Sequence, residues 1–497
     1  MRQGASLLGV RIALWRCMLR SGLVTSAAAV IVAAAFQCAV PRARGSDAAV
    51  AKSVARPGAA TSAERTLPSA RSPHWPHIRT MVADYRIVYQ SDSATRAREY
   101  DWAAAHFDRV VLDRADSISV PEYRRRNPTI ALYRYALLWT AVRPGEEKRD
   151  DAGVSYVADM QRWYAQHRDV NIESAFLHDA RKCPAPAPLS ADCRVQIRIW
   201  TQQRWVTNPG DAGARRYHAD RLRALAADAD GLFIDEHGSG DIRGALDGVA
   251  IREYPQRADF ERDVVAMLRS VRAALGGGKR LLLNTAEWHT AWDREMIAAA
   301  GGTHAEQLND ATSSQAVDRW SFLDGVIADG AIVDVSPKRE LPSGFDAGNS
   351  PSATDRRLLW QLASYYMVVP TGKPDAVAFN LGPKWDRPFS ERWMGAVEVD
   401  LGRPVGDREI AFDVPAPGGH GERARVWMRE FERAIVLVRP ADEGGDGEFG
   451  DGTAVAVPFV KGGVYRPVTA EGSVGPGLDR LVLRAGEAAI LLKPAAR

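Results

Sequence analysis

At 497 residues the chain exceeds what one hydrophobic core organises, so one large domain and a smaller one are expected behind a stretch of leader sequence. Its 46% hydrophobic and 26% charged residues are those of an ordinary globular protein and exclude a fibrous or wholly disordered chain. Its net charge of +3 turns to −3 once the first 45 residues, with six arginines and no acid, are set aside, which removes any basic signal for a nucleic-acid partner.

In residues 1–45 an apolar run from Gly22 to Val40 lies between basic clusters, the pattern of an export signal peptide. The run is long enough to serve instead as an N-terminal anchor, since about 20 apolar residues span a bilayer. A lipid anchor at Cys38 is not expected, because Phe36 and Gln37 stand where small residues would be needed. Residues 46–76, rich in Ala, Arg, Ser and Pro, read as a disordered linker. The expected location is therefore secreted or periplasmic, with a membrane-anchored form as the alternative.

From residue 77 short aliphatic runs alternate with amphipathic stretches, the pattern of repeated β-α units. Eight candidate strands fall at 86–89, 109–112, 129–133, 231–234, 280–284, 303–306, 331–335 and 376–380. Helical spacing recurs at 215–227, 257–274, 315–327 and 356–367. The fold class read from this is α/β, a (β/α)8 TIM barrel over 77–385, with an open doubly wound sheet as the runner-up. No glycine-rich dinucleotide turn follows the first strand, and no cofactor is expected.

Between the third and fourth strands the interval is too long for one crossover and must hold an elaborated excursion. There Cys183 and Cys193 bracket a Pro/Ala-rich loop. In an oxidising compartment they are expected to form a disulfide, two separate thiols being the other reading. Beyond Gly382 helical periodicity gives way to short alternating runs at 423–428, 434–438, 454–460, 481–483 and 488–492. They predict a small all-β domain, an antiparallel sandwich, over 386–497. Its acidic stretch 442–452 reads as a solvated hairpin loop, and the Asn380-Leu-Gly-Pro segment as a structural junction.

In a barrel of parallel strands the reactive groups gather where the strands end. The fourth strand, GLFIDEHGSG, ends in Asp235 and Glu236; the fifth, LLLNTAEWH, ends in Asn284 with Glu287 beyond; the sixth, GGTHAEQL, carries Glu306. Carboxylates at the rim of an apolar core can have their pKa values driven apart into one acid and one base, which glycosidic bond cleavage requires. Each acid taken singly is as readily a helix cap or an arginine partner.

The run Asp230-Gly231-Leu232-Phe233-Ile234-Asp235-Glu236 resembles the fourth-strand motif of glycoside hydrolases related to the α-galactosidase superfamily. The glutamate-bearing sixth strand and the helix-rich segment after it are similar to the hypothetical glycosyl hydrolase family 15 group. The likeness spans roughly residues 80–495. It implies a glycoside hydrolase acting on an extracellular polysaccharide or oligosaccharide, with Asp235 as nucleophile and Glu306 as general acid/base. Glu236 and Glu287 are the replacements if either fails. The chain departs from the α-galactosidase pattern in carrying glutamate on strand six and no lysine just before Asp235.

Substrate-holding groups are expected at Asp113, Arg134, Tyr135, His237, Asn284, Trp288 and His304, all near the predicted rim, with His289 beside them. The fourteen tryptophans could include platforms for sugar faces. Two other classes remain open. One is a glycan-binding surface protein that keeps the barrel without the chemistry. The other is a metal-dependent hydrolase using His237, His289 and His304 with Asp235, although no His-x-His or His-x-x-x-His pair is present and no metal is expected.

Overall fold

The computed structural model describes residues 78–84, 86–112, 117–146, 154–167, 171–199, 202–285, 289–306, 315–336, 351–380, 389–415, 423–440, 454–458 and 464–494. The leader 1–45, the linker 46–76 and the acidic stretch 442–452 lie outside them. No helix among the described residues is long and apolar enough to cross a membrane. Residues 70–198 and 202–497 form one compact unit; of the other, 1–69 with 199–201, only Ile199 is described.

In chain order the elements begin β1 Arg79–Asp84, α1 Ser93–His106, β2 Arg109–Leu112, α2 Ser119–Arg126 and β3 Ala131–Ala136. An excursion follows, with β4 Thr140–Val142, β5 Ser155–Tyr156, α3 Val157–Gln166, β6 Gln196–Ile199 and β7 Gln202–Val206. The barrel resumes with α4 Ala212–Leu225, β8 Gly231–Ile234, α5 Ser239–Ala245, α6 Arg257–Leu275, β9 Arg280–Asn284, α7 Ala291–Ala300, β10 Gly302–Glu306, α8 Ala316–Ala328, β11 Ile332–Ser336, α9 Pro351–Val368 and β12 Val377–Asn380. The chain ends in β13 Glu409–Pro415, β14 Arg423–Glu430, β15 Ala434–Arg439, β16 Val455–Pro458, β17 Arg466–Pro467, β18 Arg480–Leu483 and β19 Glu487–Leu492.

Eight strands close in the order β1-β12-β11-β10-β9-β8-β3-β2, every pair parallel. This is a TIM barrel, followed by an all-β C-terminal region. Parallel strands buried on both faces read as unbroken apolar runs, which is why Val110-Val111-Leu112 and Leu281-Leu282-Leu283 are legible as strands.

The first strand lies seven residues earlier than its predicted start. β1 takes 79–84, whereas Ile87–Tyr89 forms a 3-10 turn. Ile-Val-Tyr is a β-favouring triplet, but Asp84 Oδ1 accepts from the backbone N–H groups of Arg86 and Ile87, at 3.1 and 2.9 Å, and folds the chain back on itself. Only Ile87 of the triplet is buried, and Tyr89 is 63% exposed. The third strand is displaced as well. It runs on to Ala136, so Arg134 lies within the strand rather than beyond it.

The register fixes which side chains share the interior. Val111 pairs with Tyr133, Tyr133 with Gly231, and Phe233 with Leu282, so Tyr133, Tyr135, Gly231 and Phe233 alternate onto one face. A Cβ at Gly231 would come within 2.1 Å of the Arg280 carbonyl oxygen, so only glycine permits β8 and β9 to approach this closely. On the floor of the barrel Arg109 and Asp334 form an ion pair, with both side chains buried.

The excursion builds a four-stranded sheet, β5-β4-β7-β6. Its small core is made by Val157, Met160, Phe176 and Tyr217. Its loop is closed by the Cys183–Cys193 disulfide, with Cα atoms 5.7 Å apart. In the C-terminal region a five-stranded sheet, β13-β14-β15-β19-β17, faces the β16-β18 ribbon across Val426, Leu437, Val457, Leu483 and Leu491. The opposite face of β15 and β19 joins the barrel core, where Val436, Val438 and Ile490 cluster with Trp360, Tyr366 and Phe431.

Candidate active site

Register explains how the acids meet. Ile234 pairs with Leu283 and Asn284 with His304, so the residue after Ile234 stands level with Asn284, and Glu306 rises one full alternation above His304. The Asp235 N–H still donates to Ala136 O at 2.9 Å, which holds this first residue beyond β8 against the sheet.

Three donors converge on the Asp235 carboxylate. Tyr135 Oη donates to Oδ2 at 2.6 Å, Asn284 Nδ2 to Oδ1 at 2.7 Å, and the Glu236 N–H to Oδ1 at 2.9 Å. The same Asn284 nitrogen donates to Glu306 Oε2 at 2.7 Å. One amide thus bridges two carboxylates, and the oxygens it holds can be no further apart than twice 2.7 Å. Asp235 and Glu306 are half-buried, whereas Tyr135 and Asn284 beneath them are buried.

Glu236 stands beside the pair in the left-handed region at φ 53°, its carbonyl accepting from Trp139 Nε1 at 2.8 Å. Burial, reinforced by the negative charges of Asp235, Asp241 and Glu306, raises its carboxyl pKa well above the usual range; Arg204 opposes the shift. Asp241, on α5, behaves similarly. Burial and then the charge of Asp235 push it up to about 7, against a hydrogen bond from the Gly238 N–H.

Raising a folded-state carboxyl pKa adds stability at low pH, where both states are protonated, and this is lost as pH climbs through the folded value. For Asp241 the window runs from the ordinary carboxylate range up to about 7. Asp241→Asn should therefore be neutral near pH 4 and stabilising at pH 8, by at most about 4 kcal/mol at about 1.36 kcal/mol per unit. Melting temperatures of both proteins across that range check it; a constant difference would show that Asp241 titrates normally.

Not every predicted residue reaches the site. Arg134 is turned to the outer face of β3 and pairs with Asp228 at 2.6 Å, near the opposite end of β8, because it alternates with the inward Tyr135. His237 is fully buried and held neutral, its pKa lowered by burial to about 3. It contributes its N–H to Asn284 O at 3.1 Å rather than a ring to the cleft. His304 is likewise buried and lowered to about 3, its ring 5.2 Å from that of Phe233 beneath the carboxylates. His289 is edge-on to Phe322 at 4.9 Å. Asp113, Glu287 and Trp288 lie outside the described residues. Among the described residues no group of three or more His, Cys, Asp or Glu is placed to hold a metal ion.

Sequence reasoning missed Trp139, Arg204 and Asp241. Asp241 had a faint signal, an acid three residues beyond a buried glycine at the turn after β8. Trp139 and Arg204 had none, because the excursion that carries them follows no barrel period.

No family model matches the chain, and no curated protein matches it. Among solved structures it is similar to an α-amylase from Malbranchea cinnamomea, at 11% identity and a TM-score of 0.42, over 84% of this chain and 96% of that one. It is similar to a GH27 β-L-arabinopyranosidase from Geobacillus stearothermophilus, at 10% identity and a TM-score of 0.42, over 85% and 98%. A third is an α-galactosidase from Thermus thermophilus in complex with stachyose, at 16% identity and a TM-score of 0.37, over 66% and 65%. Likeness of this degree carries no weight on chemistry, and the functional reading is built on the site itself.

Proposed function

We propose that the chain is a retaining glycoside hydrolase acting on an extracellular polysaccharide or oligosaccharide. The observation that carries the reading is the Asn284 amide shared by Asp235 and Glu306, both at 2.7 Å. Retaining enzymes hold their two carboxyls about 5–5.5 Å apart, whereas inverting ones leave about 6.5–9.5 Å for a water between them. Oxygens bridged by one nitrogen fit the first class.

In this mechanism Asp235 attacks the anomeric carbon while Glu306 protonates the departing glycosidic oxygen. Glu306, now a carboxylate, takes a proton from the water that opens the glycosyl ester, and both acids return to their starting states. Tyr135 and Asn284 fix the Asp235 carboxylate for in-line attack. The disulfide and the basic, apolar leader support action outside the cytoplasm.

Incubation of the exported form with bacterial exopolysaccharides and 4-nitrophenyl glycosides, reading released reducing ends and nitrophenol, tests the activity. Proton NMR of the first-formed sugar should show the anomeric configuration of the substrate. Inversion would overturn the double-displacement assignment, and no hydrolysis of any glycoside would overturn the reading altogether.

A further inference from the structure

The two oxygens of a carboxylate carry about four lone-pair sites between them, and the neighbours of Asp235 occupy those sites unequally. Oδ1 accepts from Asn284 Nδ2 at 2.7 Å and from the Glu236 N–H at 2.9 Å, so both of its sites are taken. Among the described residues Oδ2 accepts only from the Tyr135 hydroxyl, at 2.6 Å, and keeps one site open. Asp235 itself is half-buried at the mouth of the barrel. Oδ1 thus holds the carboxylate in place, and Oδ2 is the oxygen left to react.

The donor on Oδ2 has little freedom. Tyr135 is 4% exposed and pairs with Phe233 across the β3-β8 register, the two rings stacked at 6.1 Å. Its hydroxyl therefore keeps its place beside Oδ2 while the charge on that oxygen comes and goes. A hydrogen bond to a carboxylate is charge-assisted and about twice as strong as one between neutral groups. The bond is at full strength in the free enzyme, weak once Oδ2 has become the ester oxygen of a glycosyl-enzyme, and at full strength again when the sugar has left.

We propose that Asp235 attacks through Oδ2 and that Tyr135 is a positioning residue that speeds release of the sugar from that oxygen. The inference rests on the retaining hydrolase reading; it adds which oxygen bonds to the sugar and which of the two steps the hydroxyl serves. In the first step an electron pair of Oδ2 forms the bond to the anomeric carbon, the glycosidic bond breaks toward the leaving oxygen, and that oxygen takes the proton of Glu306. In the second, water bonds to the anomeric carbon, its proton passes to Glu306, and the pair of the breaking C–Oδ2 bond returns to Oδ2, where the Tyr135 O–H meets it. The hydroxyl stabilises the state from which the first step starts and the state in which the second ends, so the second is the step it speeds.

The test is Tyr135→Phe, which removes the hydroxyl and keeps the ring against Phe233. Loss of a hydrogen bond to a charged group should slow deglycosylation about 10–100-fold. The value of kcat/KM, which reports the first step, should stay within about 3-fold of wild type. On 2,4-dinitrophenyl glycosides kcat and KM should therefore fall together, with a burst of phenolate stoichiometric with enzyme. Mass spectrometry of the intact protein, quenched in the steady state, should find it glycosylated, with the sugar on Asp235. Placing 3-fluorotyrosine at position 135 gives a stronger donor of nearly the same volume, and at acidic pH it should speed the same step.

Equal falls in kcat and kcat/KM in Tyr135→Phe, with no burst and no glycosylated enzyme, would overturn the proposal, because they mark a hydroxyl that only props the carboxylate for attack. Wild-type kinetics in Tyr135→Phe would overturn it too. Should Tyr135→Phe not fold, the fluorotyrosine protein decides, and no gain in its deglycosylation rate sinks the idea. In each of these cases the hydrolase reading stands on a wild type that cleaves with retention. Inversion at the anomeric carbon, or no cleavage by wild type, removes that reading and the proposal with it.

Discussion

On the proposed reading, Asp235→Asn should lose glycoside hydrolysis by at least about 10⁴-fold in kcat/KM while keeping the fold. The asparagine keeps the volume of the aspartate, and its Oδ1 can still accept from Asn284 and from the Glu236 N–H, while its amide nitrogen faces the Tyr135 hydroxyl, which can accept as readily as donate. What it cannot supply is an anionic nucleophile. Glu306→Gln should behave differently, because its task depends on the leaving group. On alkyl glycosides, whose departing oxygen needs a proton, the loss should be about 10²–10⁴-fold. On 2,4-dinitrophenyl glycosides, whose phenolate leaves unaided, bond cleavage should survive and the deglycosylation step become limiting, seen as a burst of phenolate. Equal losses on both substrate types would remove Glu306 from the acid role.

The contrast between the variants follows from one amide. Asn284 is placed by β9 to touch both acids, and its two N–H bonds are the contact through which the strand ends become a site. In the sequence Asn284 is visible only as a polar residue closing an apolar run, as suited to binding a hydroxyl as to bridging acids. That it bridges depends on the β8-β9-β10 register, which no single strand encodes. Asp235 and Glu306 were legible because an acid directly after Gly-Leu-Phe-Ile, or closing Gly-Thr-His-Ala, has few places to go in a parallel barrel.

The residues misplaced by sequence share a physical cause. Arg134 and Tyr135 are adjacent, and a strand sends neighbours to opposite faces, so ending the third strand three residues early put both at the rim. Tyr135 reaches Asp235, and Arg134 is carried to Asp228 outside. For β1 the fold uses 79–84 in place of the expected 86–89. Closure decided between them, since only the first can pair with both β2 and β12. The histidines at 237 and 304 stood near the rim in sequence, but the fold buries their rings as neutral packing groups.

Arg109→Met should produce the opposite signature to Asp235→Asn, a large loss of stability. Arg109 and Asp334 meet across the barrel interior, both buried, and Arg109 also donates to the Asp375 carbonyl at 2.9 Å. Burial raises the Asp334 pKa even with the arginine beside it; the Arg109 guanidinium opposes that shift most, by its charge and its hydrogen bond, with a smaller share from the charge of Arg280. Removing one member of such a pair strands the other in a medium of low dielectric, which costs about 3–5 kcal/mol, whereas replacing both by apolar side chains of similar volume is often neutral. Urea unfolding at pH 8 should therefore show Arg109→Met far below wild type and the Arg109→Met/Asp334→Leu double variant close to it. The single variant has an escape: a stranded Asp334 can take up a proton. Its folded-state pKa then lies still further above the unfolded value, so its deficit should shrink as the pH is lowered toward 4, and the double variant should show no such recovery. A deficit under about 1 kcal/mol that ignores pH would mean that water reaches the pair and that the barrel floor is open.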